Sequence, residues 1–84
     1  MNSRYTYGRP ARYEEIVVGA VFADVTSGVR KELTAMEVNE YGVRMGSWLV
    51  LDGPLAGQTY STPTSGLLDD RENEVYTSTV LADR

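Results

Sequence analysis

The chain has 84 residues, a formal net charge of -4, a single Trp, and neither Cys nor His. A chain of this size builds one domain around one apolar core. The missing residues exclude disulfides, thiolate or imidazole metal sites, cysteine nucleophiles and Ser-His pairs. Charge is unevenly placed: Arg4, Arg9 and Arg12 have no acid among residues 1–13, which leaves five basic and twelve acidic groups for the remainder.

Residues 1–12, MNSRYTYGRPAR, lack the aliphatic side chains of a core and carry Gly8 and Pro10. They read as a flexible basic arm, with residues 13–84 forming the domain. Tyr5 and Tyr7 alternate with Arg4 and Thr6, a pattern that can extend along a sheet edge; a frayed terminus is the other reading. No apolar stretch follows the arginines as in a signal peptide. The longest apolar run, Ile16 to Ala23, is far short of the roughly 20 residues of a helical membrane span.

From Tyr13 the chain reads as β. Ile16 to Val25 is rich in Val, Ile and Phe, with Gly19 marking a bulge or bend inside a first strand, and Thr26-Ser27-Gly28 closes it as a turn. Val29 to Tyr41 is ambiguous, because Val29, Leu33 and Met36 fall at helical spacing. Glu40 would share that apolar face, whereas Met36 and Val38 alternate with Glu37 and Asn39, so the strand reading is preferred. Leu33 and Met36 have opposite parity, which requires a register switch near Ala35. Asn39-Glu40-Tyr41-Gly42 reads as a hairpin turn with Gly42 at positive φ.

Trp48-Leu49-Val50-Leu51 is a continuous apolar run that suits a strand buried on both faces. It stops at Asp52-Gly53-Pro54, where Pro54 removes a backbone donor and Gly53 and Gly57 permit positive φ, predicting a tight corner. Thr59 to Thr62 follows as a short strand ended by Pro63. Thr64 to Asn73 is a polar loop anchored by Leu67 and Leu68, and Glu74 to Leu81 is a last strand. The expected fold is all-β: a small SH3-like barrel of five or six short antiparallel strands with an N-terminal arm. The stretch from Trp48 to Gly57 resembles the KOW motif of SH3-like barrels, in which a strand runs into a Gly-Pro, Ala-Gly corner. The resemblance implies a corner on a face that meets nucleic acid or ribosomal protein. It covers ten residues. Gln58-Thr59-Tyr60 replaces the Gly expected after the corner and no basic residue lies near, so no KOW binding residue is carried over.

These features point to a non-enzymatic interaction module with no cofactor or metal. Its binding residues are sought in the arm (Arg4, Tyr5, Tyr7, Arg9, Arg12) and the corner (Gly53, Pro54, Leu55). An acidic body repels phosphates, so the expected partner is a protein, including a second copy reached by the arm, rather than nucleic acid or a membrane. The arm is expected to order only on a surface outside its own barrel. Asp69, Asp70, Glu72 and Glu74 cluster like a Ca²⁺ loop but lack its spacing and read as a solvated turn. Two other readings stay open: a KOW-like nucleic-acid or ribosome-associated factor, and a small viral protein that is either a virion component or an acidic inhibitor of a host defence protein. The cytoplasm, or the virion in the last case, is the expected location.

Overall fold

The computed structural model describes residues 6–67 and 77–82. Among them the fold is all-β, a six-stranded antiparallel sheet: β1 (Gly8–Arg9), β2 (Val21–Asp24), β3 (Arg30–Val38), β4 (Arg44–Val50), β5 (Thr59–Pro63) and β6 (Thr79–Ala82). The spatial order is β1-β6-β2-β3-β4-β5, so β2 to β5 form a meander and β6 returns beside β2. The sheet is open: β1 and β5 are its two ends and do not pair. Short 3-10 turns lie at Tyr13–Glu15 and Thr64–Leu67.

The core gathers where large side chains of successive strands share one face. Phe22, Leu33 and Trp48 are fully buried, and Ala11, Ile16 and Leu67 close over them from the connecting segments. Phe22 and Trp48 meet edge to face, with ring centroids 5.3 Å apart, the arrangement favoured by the aromatic quadrupole. The buried indole N–H of Trp48 donates to Thr62 Oγ1 at 2.8 Å, which removes the penalty of an unpaired buried donor. Gly46 belongs to the same packing: a Cβ there would stand 2.8 Å from Leu33 Cδ1.

Residues 29–41 are strand and turn, as the alternation of Met36 to Asn39 predicts. The register switch expected near Ala35 lies between Leu33 and Ala35, with Leu33 opposite Trp48 and Ala35 opposite Ser47. It lets Leu33 be buried while Met36 packs against the same core. The hairpin turn also forms: Gly42 has φ 78, and Asn39 Oδ1 accepts from the Tyr41 and Val43 amides.

Four expectations are corrected. Tyr13 does not begin a strand, because the Glu15 amide bonds the Arg12 carbonyl and the Glu15 carboxylate accepts from the Arg12 amide, closing a local turn. The first strand is shorter than Ile16 to Val25. Gly19 lies in the turn before it, with φ 97 and its N–H donating to the Leu33 carbonyl. Trp48 to Leu51 is not buried on both faces: Trp48 and Val50 are buried, while Leu49 and Leu51 are half-buried. Double burial belongs instead to β2 and β6, where Phe22 and Ala23, and Thr79 and Val80, are consecutive buried residues.

The fourth correction concerns the arm, whose residues 8–11 are part of the domain. Gly8 pairs with Ala82 and Arg9 with Leu81, while Ala11 is fully buried and its N–H donates to the Leu67 carbonyl. Gly8 is required there, since a Cβ would stand 1.8 Å from the Leu81 carbonyl oxygen. Arg9 has a local counter-charge after all, because its guanidinium grips both carboxylate oxygens of Glu15. Arg4, Tyr5, Leu68 and Asp69, Asp70, Glu72 and Glu74 lie outside the described residues.

Candidate functional site

A groove of about 450 Å³ opens at the end of the sheet where β3 begins and β4 ends. One side is the β2–β3 turn, with Asp24, Ser27 and Val29, and the other is the corner, with Asp52, Pro54 and Leu55. Lys31 and Val50 lie between them, and Tyr60 of β5 and Thr79 of β6 complete the lining. Five of the ten lining side chains, Val29, Val50, Pro54, Leu55 and Tyr60, supply apolar or aromatic surface.

Both walls are held by backbone geometry and charge-assisted hydrogen bonds. The corner turns on Gly53 (φ 77) and Gly57 (φ 90), a conformation that side chains with a Cβ rarely adopt. Gly57 N–H donates to the Val50 carbonyl and Gln58 N–H to that of Leu55. Arg30 fastens the corner to β3: its Nε and Nη2 donate to the two Asp52 oxygens at 2.8 and 2.9 Å, and its amide donates to Oδ2 at 3.1 Å. These bonds, the guanidinium ones foremost, hold the Asp52 carboxyl below its usual pKa. On the other wall, Asp24 Oδ1 accepts from the Ser27 and Thr26 amides at 2.8 Å and from Ser27 Oγ. The Ser27 amide is the largest cause of its lowered pKa.

Lys31 stands apart from this pattern. It sits opposite Phe22 and Val50 in the ladder, so its side chain emerges on the core face. The ammonium lies 4.2 Å from the Trp48 ring centroid and 5.2 Å from that of Tyr60, and it donates to the Tyr60 hydroxyl at 2.9 Å. The ion pairs among the described residues are Arg9–Glu15 and Arg30–Asp52. Lys31 is thus held by aromatic faces and a neutral oxygen, with the Asp24 carboxylate beyond ion-pair distance but near enough for the two charges to interact.

Of the residues singled out in the sequence, Pro54 and Leu55 line the groove and Gly53 shapes its wall. Tyr7 lies beside it, packed on Gly28 in the β2–β3 turn, where a Cβ would meet the Tyr7 ring at 2.8 Å. Arg9 is engaged by Glu15, and Arg12 is exposed and does not line the groove. Sequence reasoning missed Lys31, Tyr60, Val29 and Val50. The parity of Lys31 with Leu33 was an available signal, for it places the one Lys of the chain on the buried face of β3. Tyr60 carried no such signal, because its contact with Lys31 depends on how β3, β4 and β5 curve together.

Neither the family models and characterised proteins compared with the sequence nor the solved structures compared with the fold gave a match. Among the described residues, no helix is long and apolar enough to cross a membrane.

Proposed function

We propose that this chain is a non-enzymatic interaction module, a small SH3-like barrel left open at one seam, which binds a segment of a partner protein in the groove beneath the Asp52–Gly57 corner. The observation that carries this reading is the groove itself. Its apolar residues, Val29, Val50, Pro54, Leu55 and Tyr60, stand beside polar ones among which Lys31 is the one cation. Such sites commonly combine apolar contact area with a few placed polar groups. The barrel reading is supported by the meander from β2 to β5 with β6 returning beside β2. Ser27 Oγ donates to Asp24 and accepts from the Val29 amide, and no imidazole or thiol exists to activate a hydroxyl. Binding is therefore the chemistry that the groove supports.

Self-association through the arm fits the same frame in one form. The ladder of Gly8 and Arg9 with Leu81 and Ala82 is the ladder that an arm exchanged between two copies would make. The KOW-like nucleic-acid reading is favoured by one feature, the Arg44 guanidinium 4.6 Å over the exposed Tyr13 ring, with Arg12 next in sequence.

The test is selection of random displayed nonapeptides on the full-length chain, with Leu55→Asp and Tyr60→Ala as controls. Both side chains are well exposed, so the fold should survive both changes. The groove reading predicts peptides whose binding is lost in both variants. Peptides that bind both variants as well as the parent would overturn it. Binding of single-stranded RNA or DNA that falls steeply with salt and requires Arg12 and Arg44 would favour the nucleic-acid reading instead.

A further inference from the structure

We infer that the segment bound in the groove carries a carboxylate set among apolar side chains, and that Lys31 is the residue that reads it. This rests on the groove being a protein-binding site and names what the partner must present. An ammonium has three donors, and one of those on Lys31 goes to the Tyr60 hydroxyl at 2.9 Å. The ammonium also lies over the fully buried Trp48 ring, on the floor of a groove whose remaining charges are already engaged. Asp52 is held through both oxygens by Arg30, and Asp24 accepts three hydrogen bonds on Oδ1.

A cation so placed, with donors left over and apolar walls around it, is complemented by an anion with apolar flanks. A neutral segment could offer Lys31 only uncharged acceptors, which make weaker hydrogen bonds to an ammonium than a carboxylate does. A basic segment would meet like charge at Lys31. Asp24 is beyond ion-pair distance of Lys31 yet near enough for the ammonium to help hold its carboxyl below the usual range, so the bound carboxylate meets Lys31 on the side away from the β2–β3 turn. Pro54 and Leu55 on the facing wall take the apolar neighbours.

The test is a double-mutant cycle on the nonapeptides selected with the full-length chain. Selected sequences should contain Asp or Glu between apolar residues. Replacing that acid by its amide should weaken binding about tenfold, the size expected when a charged hydrogen bond is lost. In Lys31→Met, which keeps the length and apolar stem of the side chain, the acid and amide peptides should bind equally. Asp24→Asn keeps the Oδ1 acceptor of the turn and should tighten the acidic peptide, because it removes a negative charge that lines the same groove and interacts with Lys31. Selected peptides that bind in the groove without an acid, or that distinguish acid from amide equally well in Lys31→Met, would overturn the inference and leave the groove reading intact. If no peptide is enriched, or enrichment ignores Leu55→Asp, the groove reading fails and the inference with it.

Discussion

The β3–β4 hairpin has two ends built from the same pair of strands, and they differ in what they expose. At the tip, Val38 (65% exposed), Tyr41 (81%) and Val43 (40%) project into solvent and line no part of the groove. At the other end, Lys31 and Val50 lie opposite each other, flanked by the β2–β3 turn and the corner, and the same ladder forms the floor of the groove. The tip exposes single apolar side chains, whereas at the far end Leu55 and Tyr60 are exposed beside a groove. Single exposed apolar residues are ordinary on protein surfaces, whereas convergent walls around an anchored cation are not. Concavity comes from elements that flank the hairpin, so the end proposed to bind is the one that the chain returns to after leaving it.

The largest expected effect lies in the core that both ends share. Trp48→Ala should destabilise the domain by about 3–5 kcal/mol, since it opens a cavity against Phe22 and leaves Thr62 Oγ1 without its donor. Tyr41→Ala at the tip should change stability by no more than about 0.5 kcal/mol. Urea unfolding followed by circular dichroism measures both. A tip variant as damaging as the core variant would erase the distinction.

The glycine turns at the two ends give the next test. Gly53→Val and Gly57→Val force side chains into φ 77 and 90, and Gly42→Val into φ 78, so each should cost about 1–3 kcal/mol. Stability does not separate the ends, but binding should. Among variants that remain folded, those at the corner should lose peptide affinity and Gly42→Val should keep it, as isothermal titration would report.

A smaller effect is expected at the attached arm. Gly8→Ala places a methyl group against the Leu81 carbonyl and should detach β1 from β6 while the rest of the sheet persists. Hydrogen exchange should then accelerate in residues 8–11 and 81–82, with little change in β3 and β4. Uniform acceleration through the sheet would mean that the arm and the body unfold together.

The smallest effect is the response to acid. Glu15 is lowered from 4.5 to about 2, first by its hydrogen bonds from Arg9, and Asp24 and Asp52 are also lowered. Their folded pKa values lie below the unfolded ones. The stability that they add is therefore complete above about pH 4.5 and is lost as pH falls toward 2. The transition midpoint should stay level near neutrality and drop between pH 4.5 and 2. Glu15→Gln should flatten part of that drop, and an unchanged acid limb would show that the exposed Arg9 pair contributes nothing.

The features legible in the sequence are those fixed by neighbours a few residues apart. The Asn39–Gly42 turn, the corner at Gly53 and Gly57, and the switch between Leu33 and Ala35 follow from local φ requirements and side-chain parity, and so does the burial of Trp48. The features that escaped are set by residues distant in the chain. Ala11 looks like part of a loose polar arm, yet it fills the space beneath Leu67, and Gly8 meets Leu81 near the opposite terminus. Whether a meander of strands closes or stays open depends on curvature summed over every pairing. Of the ten residues that line the groove, Pro54 and Leu55 were visible, because a Gly-Pro corner announces itself. Lys31 was legible only through its parity with Leu33, and its aromatic partners, set by β4 and β5, were not.

The most direct measurement is a ¹⁵N-labelled spectrum of the full-length chain titrated with a selected acidic nonapeptide. The account predicts amide shifts concentrated at Ser27, Lys31, Val50, Leu55 and Tyr60, with Val38 to Val43 unmoved. Shifts centred on Val38 to Val43, or on Arg12, Tyr13 and Arg44, would contradict it.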